Sequence, residues 1–159
     1  MIKKNKPKYL VFDVDGVMTT GHQIYSKNGK TYKIFGAHDH DGIKILKKSI
    51  KIIFITADKI GLDISKKRIV SDMGQKLFLV SELSRFNFIG KFGFENVIYM
   101  GDGIHDAKII KKCLYGICPN NARKEAKDVA DYITPSNSAE GAVLDACLKI
   151  GKKFFNLKV

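Results

Sequence analysis

Apolar residues fall in short runs, each closed by a polar or turn-forming residue. Tyr9-Leu10-Val11-Phe12 closes on Asp13, and Lys51-Ile52-Ile53-Phe54-Ile55 closes on Thr56. Asn96-Val97-Ile98-Tyr99-Met100 closes on Gly101-Asp102, Tyr115-Gly116-Ile117-Cys118 on Pro119, and Asp131-Tyr132-Ile133 on Thr134-Pro135. Short continuous apolar runs rich in β-branched and aromatic residues predict strands buried on both faces, the mark of a parallel sheet. A further short strand is predicted around Ile69 to Ser71. Between the runs, Ile43, Leu46 and Ile50 repeat at helical spacing after Asp41-Gly42. Leu62 to Arg68 predicts a weakly patterned helix, and Leu77, Val80, Leu83 and Phe86 predict a stronger apolar face. Ile109 and Ile110 mark another helix, and Ala139 to Ile150 a last one. Strands alternating with helices predict an α/β fold, a parallel sheet with helices on both faces. Gly21 to Phe35 breaks the pattern: two short β runs around Asn28-Gly29 predict a small β-hairpin flap. There is no internal repeat, low-complexity tract or linker.

Length and charge narrow the picture. At 159 residues the chain predicts a single domain, residues 1–159, with a core that needs no disulfide or structural metal. The formal charge of +12 invites a nucleic-acid reading. However, the cations are 25 Lys and only 3 Arg, and the lysines are dispersed. Arg is the usual residue for bidentate reading of bases and phosphates. The expectation is therefore no nucleic-acid partner, and a surface that draws in a small, multiply anionic substrate. The densest run, Lys3-Lys4-Asn5-Lys6-Pro7-Lys8, reads as a solvated end. Cys113, Cys118 and Cys147 have no metal-like spacing and read as reduced thiols. No apolar stretch approaches the ~18 residues of a membrane span, and no secretory segment is evident. The expected location is cytoplasmic, with no membrane partner.

The candidate chemistry lies at the strand ends. In a parallel α/β sheet, ligands bind beyond the carboxyl ends of the strands. Asp13, Thr56 and Asp102 close three strands and are expected to meet on one edge. Asp15 sits two residues after Asp13, with Gly16 letting the chain turn away. Asp106 adds charge to the same rim. Such crowding of carboxylates calls for a hard cation, and oxygen ligands favour Mg²⁺.

At this point the chain resembles the haloacid dehalogenase superfamily of phosphatases. Asp13-Val14-Asp15-Gly16-Val17-Met18-Thr19 resembles its first motif, Thr56 its second, Lys76 at the head of a helix its third, and Gly101-Asp102-Gly103-Ile104-His105-Asp106 its fourth. The resemblance implies a Rossmann-like fold. It implies that Asp13 is the nucleophile, forming an aspartyl-phosphate, and that Asp15 is the general acid and base. Thr56 would hydrogen-bond a phosphoryl oxygen, and Lys76 would neutralise charge. Asp13, the Asp15 backbone carbonyl and Asp102 would hold Mg²⁺, with Asp106 orienting them. Asp106 also reads as a helix N-terminal acid.

There is no domain-sized insert between these motifs, so no cap domain is expected. The pattern Asp13 to Gly21, then Phe35 and Asp39-His40-Asp41-Gly42-Ile43-Lys44, is similar to the capless 3-deoxy-manno-octulosonate 8-phosphate phosphatases. Ala130 to Thr134 and Glu140 to Val143 extend the match. The resemblance implies hydrolysis of the 8-phosphate of a 3-deoxy ulosonic acid, a step of lipopolysaccharide biosynthesis, by a homotetramer. In that assembly the hairpin and tail of one subunit approach a neighbour's site. Thr20, His40, Ala57-Asp58-Lys59, Gly103 and Leu144 depart from the usual pattern. The departures leave open a nonulosonate 9-phosphate as substrate, or a non-catalytic oligomerisation module partnering a sugar-activating enzyme. A signalling receiver is disfavoured, because Asp13 and Asp15 share the first strand's end. His38-Asp39-His40-Asp41 could hold a metal, but reads better as a helix start with Asp41 capping, His38 lining a pocket and Asp39 holding the site. Thr19, His38, Ala57, Lys59 and Lys67 are the candidate substrate contacts.

Overall fold

The structure is a computed structural model and describes residues 6–158. Lys3, Lys4 and Asn5 of the N-terminal lysine run lie outside the described residues. Six strands form one parallel sheet: β1 (Tyr9–Asp13), β4 (Lys51–Thr56), β5 (Lys76–Leu79), β6 (Val97–Met100), β7 (Tyr115–Cys118) and β8 (Tyr132–Ile133). Their order is β5-β4-β1-β6-β7-β8. The chain builds outward from β1 to β5, then returns to lay β6 on the other side of β1. That reversal opens a crevice at the carboxyl ends of β1 and β6.

Alternation along each strand sorts the core into two layers, as a period-2 backbone requires. Leu10, Phe12, Ile52, Phe54 and Ile98 face α1 (His38–Leu46) and α6 (Ala142–Phe155). Val11, Ile53, Ile55, Val97 and Tyr99 face α3 (Glu82–Gly90), α4 (Ile104–Lys112) and the short α5 (Lys124–Lys127). The α/β fold expected from the pattern, Rossmann-like as the resemblance implies, is the fold observed. The hairpin is also present: β2 (Ile24–Ser26) pairs antiparallel with β3 (Gly29–Tyr32). The three cysteines are free and buried.

Two expectations are overturned. Ile69 to Ser71 is not a strand. α2 (Leu62–Lys66) runs on into a π-helical turn over Lys67–Asp72. Only Ile69 of that turn is buried, and one buried residue per turn is what a helix edge supplies. The Leu77-to-Phe86 face is not one helix either. Leu77 lies in β5, and α3 starts only after Ser81, whose hydroxyl accepts the Ser84 N–H as an N-cap. A short apolar run reads equally as strand or helix by periodicity, and pairing with β4 decides it here.

Candidate active site

β4, β1 and β6 are neighbours and parallel, so their carboxyl ends converge. Asp13 is the last residue of β1, and Thr56 the last of β4. Asp102 follows β6 after Gly101. The chain leaves β1 through Gly16, which has φ +86°. A Cβ there would lie 2.2 Å from an Asp102 carboxylate oxygen, so glycine permits both the turn and the approach of Asp102. Asp13, Asp15, Ala57, Asp58, Arg85, Asp102, Asp106 and Arg123 all line one cavity of about 630 Å³.

Arg85 organises the buried acids. It comes from α3, with a side chain only 4% exposed. Its Nη1 donates to Asp13 Oδ2 at 3.0 Å and to Asp106 Oδ1 at 2.6 Å, and its Nη2 donates to Asp13 Oδ1 at 3.2 Å. Tyr99 Oη donates to Asp106 Oδ1 at 2.6 Å. Asp106 Oδ2 accepts the backbone N–H groups of Asp102 (3.1 Å) and Gly103 (2.9 Å). Asp106 thus sits in the first turn of α4 and caps its start, as one of its two readings expects.

The electrostatics favour a cation. Burial, then the Asp106 carboxylate, pushes the Asp13 carboxyl up, against the opposing pull of Arg85. Burial and Asp106 push Asp102 up to about 7. Carboxylate oxygens of Asp13, Asp102 and Asp106 lie within 4.8 Å of one another, the one such group among the described residues. Asp106 already accepts four hydrogen bonds, which fills its lone-pair sites. Asp13 and Asp102 are therefore the side chains with capacity for a hard ion. An all-oxygen donor set of this charge fits Mg²⁺.

Asp15 is held separately. Lys33 Nζ lies 2.8 Å from its Oδ1 and 3.0 Å from its Oδ2. Thr56 Oγ1 donates to Oδ2 at 3.0 Å and accepts the Asp58 N–H at 3.1 Å. The acid pair two residues apart is thus split between two cations, with Asp13 on Arg85 and Asp15 on Lys33. One carboxylate beside a cation site and another free of it can serve as nucleophile and proton carrier.

Lys76 is not part of this site. It opens β5 opposite Ile53, at the amino end of the sheet, and is exposed. The strand carries its successors toward the site and leaves Lys76 behind, so the positive charge comes from Arg85 instead. Other expected contacts are also displaced. Thr19 is buried, and its hydroxyl accepts the N–H groups of Gly16 and Gly21, both at 3.2 Å. Asp39 does not hold the site: its Oδ1 accepts the N–H groups of Val143 (3.0 Å) and Leu144 (3.4 Å) in the first turn of α6. His38 is exposed and lies off the cavity lining, and Asp41 pairs with Lys44 rather than capping α1. Lys59 is exposed and off the lining, and Lys67 pairs with Asp72 on the surface. Of the expected substrate contacts, Ala57 alone lines the cavity of its own chain.

Arg85, Lys30, Lys33, Asp58 and Arg123 escaped the pattern reading. Arg85 left one trace: it sits four residues before Ile89, the other buried residue of α3, so a cation occupies a core-facing position. The hairpin lysines left none, because nothing local distinguishes them from 23 other lysines.

Relatives share this arrangement of elements. The 3-deoxy-D-manno-octulosonate 8-phosphate phosphatase of Escherichia coli strain B is 29% identical over 154 residues, covering 92% of this chain and 80% of the relative. A structure described as a probable YrbI family phosphatase, from Pseudomonas syringae, superposes with TM-score 0.84 and 31% identity, covering 96% of this chain and 89% of the other. The 3-deoxy-D-manno-octulosonate 8-phosphate phosphatase of Moraxella catarrhalis, solved in complex with a magnesium ion, a phosphate ion and a KDO molecule, superposes with TM-score 0.80 and 27% identity, covering 92% and 86%. Residues 19–146 match the haloacid dehalogenase-like hydrolases. That span takes in most of the chain, and so the chain belongs to the haloacid dehalogenase-like hydrolase family.

Proposed function

We propose that this chain is a Mg²⁺-dependent phosphatase that hydrolyses the 8-phosphate monoester of a 3-deoxy-octulosonate through an aspartyl-phosphate on Asp13. The observation that carries the reading is Asp13 clamped by Arg85 in the same cavity as Asp15 and Asp102. The relatives named for that substrate supply its identity.

In the first step an Asp13 oxygen bonds to phosphorus as the ester P–O bond breaks. The leaving sugar oxygen takes a proton from Asp15. Water then attacks the phosphorus, its proton passes to Asp15, and Asp13 departs as a carboxylate. Arg85 orients Asp13 and offsets charge gathering on the phosphoryl group, the role the resemblance gave to Lys76. Thr56 steadies Asp15. Mg²⁺ would be held by Asp13 and Asp102 with the Asp15 carbonyl, and would place positive charge beside the phosphoryl oxygens when bound.

The same reading includes a single cytoplasmic domain without a cap, no nucleic-acid partner, and a homotetramer. Ile24, Tyr25, Tyr32 and Ile34 are exposed on or beside the hairpin, which supports contact between copies there. The test is Mg²⁺-dependent phosphate release across eight-carbon 8-phosphates and nine-carbon 9-phosphates, compared by kcat/KM. The eight-carbon ester is expected to lead. A lead for the nine-carbon ester would transfer the assignment to nonulosonates, and full activity in Asp13→Asn would overturn the nucleophile.

A further inference from the structure

We propose that Lys33, carried at the foot of the hairpin flap, is the positioning residue for Asp15 and so sets how well the enzyme expels a poor leaving group. The inference rests on the phosphatase reading above.

The geometry is that of a built site. The Lys33 side chain is 2% exposed. An ammonium has three N–H donors, and Lys33 has three partner groups. They are the Asp15 carboxylate at 2.8 and 3.0 Å, Asp58 Oδ2 at 2.8 Å, and Ser65 Oγ at 2.9 Å. Each partner comes from a different element: the turn after β1, the loop after β4, and α2. Gly61 makes room for the lysine stem, since a Cβ there would lie 2.6 Å from Lys33 Cε. Lys30 Nζ, also from the hairpin, meets Asp58 Oδ2 at 2.6 Å. Burial of a charge is costly unless it is paired and hydrogen-bonded, and this network meets both conditions.

Two consequences follow from the arrangement. The flap is pinned to the body of the domain at the site, so it forms a fixed wall on this side of the cavity. Lys33 and Thr56 together also engage both oxygens of Asp15, which fixes the carboxyl in place. Proton donation from a fixed acid matters most when the departing oxygen is a poor leaving group. A sugar alkoxide needs that proton. A nitrophenolate leaves largely without it. The kcat/KM value reports events through the first irreversible step, in which this ester bond breaks.

Lys33→Met and Lys33→Gln are compared with the wild type, with Mg²⁺, on octulosonate 8-phosphate and on p-nitrophenyl phosphate. Lys33→Met is expected to lower kcat/KM on the sugar ester by about 100-fold and on the aryl ester by less than about tenfold, the lower range of a general acid's contribution. Lys33→Gln keeps one donor toward Asp15 and is expected to show the same bias at smaller size. It carries the test if the methionine variant fails to fold, as judged by thermal unfolding. Equal losses on both esters, or none, overturn the role of Lys33. A wild type that releases phosphate from neither ester overturns the phosphatase reading itself.

Discussion

Arg85 bridges carboxylates from β1 and α4, and truncating it would leave both buried without a counter-charge. Breaking a buried pair in this way costs roughly 3–5 kcal/mol. Arg85→Met is therefore expected to lower urea-unfolding stability by about that amount and to abolish phosphate release. Arg85→Lys keeps the charge, but a single ammonium cannot reproduce the forked pairing with Asp13. It is expected to retain more stability than activity. Lys76→Ala makes the complementary case. Lys76 is exposed at the opposite end of the sheet, so its loss is expected to change stability by less than about 0.5 kcal/mol and to leave kcat/KM intact. A large loss of activity in Lys76→Ala would show that the site draws on a residue remote from this cavity. The contrast explains why residue type alone misdirected the assignment. Lys76 lies near the expected place in sequence, but one strand's rise carries the backbone about 3.3 Å per residue away from it.

At the level of elements, α1 and α6 are joined by a cap contributed in trans. Asp39, in the first turn of α1, accepts the N–H groups of Val143 and Leu144, which have no partner within the first turn of α6. Burial raises the Asp39 carboxyl pKa, against the lowering effect of those two N–H groups. The folded state therefore binds the proton more tightly than the unfolded chain does. The stability this contributes is full below the unfolded value of about 3.9 and is lost as pH rises through the folded value. Asp39→Asn keeps the accepting oxygen and removes the charge. Its melting temperature relative to the wild type is expected to rise as the pH is raised above the unfolded value of about 3.9. Asp39→Ala loses the cap and is expected to cost about 1 kcal/mol at any pH. A flat Asn-minus-wild-type difference would refute the charge argument. The elements themselves were largely legible, because four buried parallel strands (β1, β4, β6 and β7) announce themselves as unbroken apolar runs and the short, partly exposed β8 by a run closed at Thr134-Pro135. The boundary between β5 and α3 was not, since sheet pairing and a serine cap decide it.

For the molecule as a whole, an acidic rim sits on a chain of net charge +12. Mg²⁺ binding is expected to relieve the repulsion among Asp13, Asp102 and Asp106 and to raise the melting temperature. Asp102, pushed up to about 7, takes a proton below that pH, and the proton competes with the ion. The Mg²⁺-induced shift in melting temperature is therefore expected to be larger at about pH 8 than at about pH 6, and to vanish in Asp102→Asn. A shift that grows on acidification would exclude Asp102 as a ligand. Light scattering is expected to give the mass of four protomers, and a monomer would remove the role assigned to the exposed hairpin residues.

Short-range information determined the strand ends in this protein. Asp13 and Thr56 close apolar runs, Asp15 and Asp102 follow within two residues of a strand's end, and strands in a parallel sheet must bring such ends together. The hairpin was equally local, written in Asn28-Gly29 and its flanking β runs. Only the tertiary structure decided which charges meet. Arg85 reaches Asp13 from 72 residues away, Thr56 reaches Asp15 from 41, and Asp39 reaches Val143 from 104. The physical reason is that a charge pair is made by the packing of elements, and the periodicity of one element carries no record of the partner it will face.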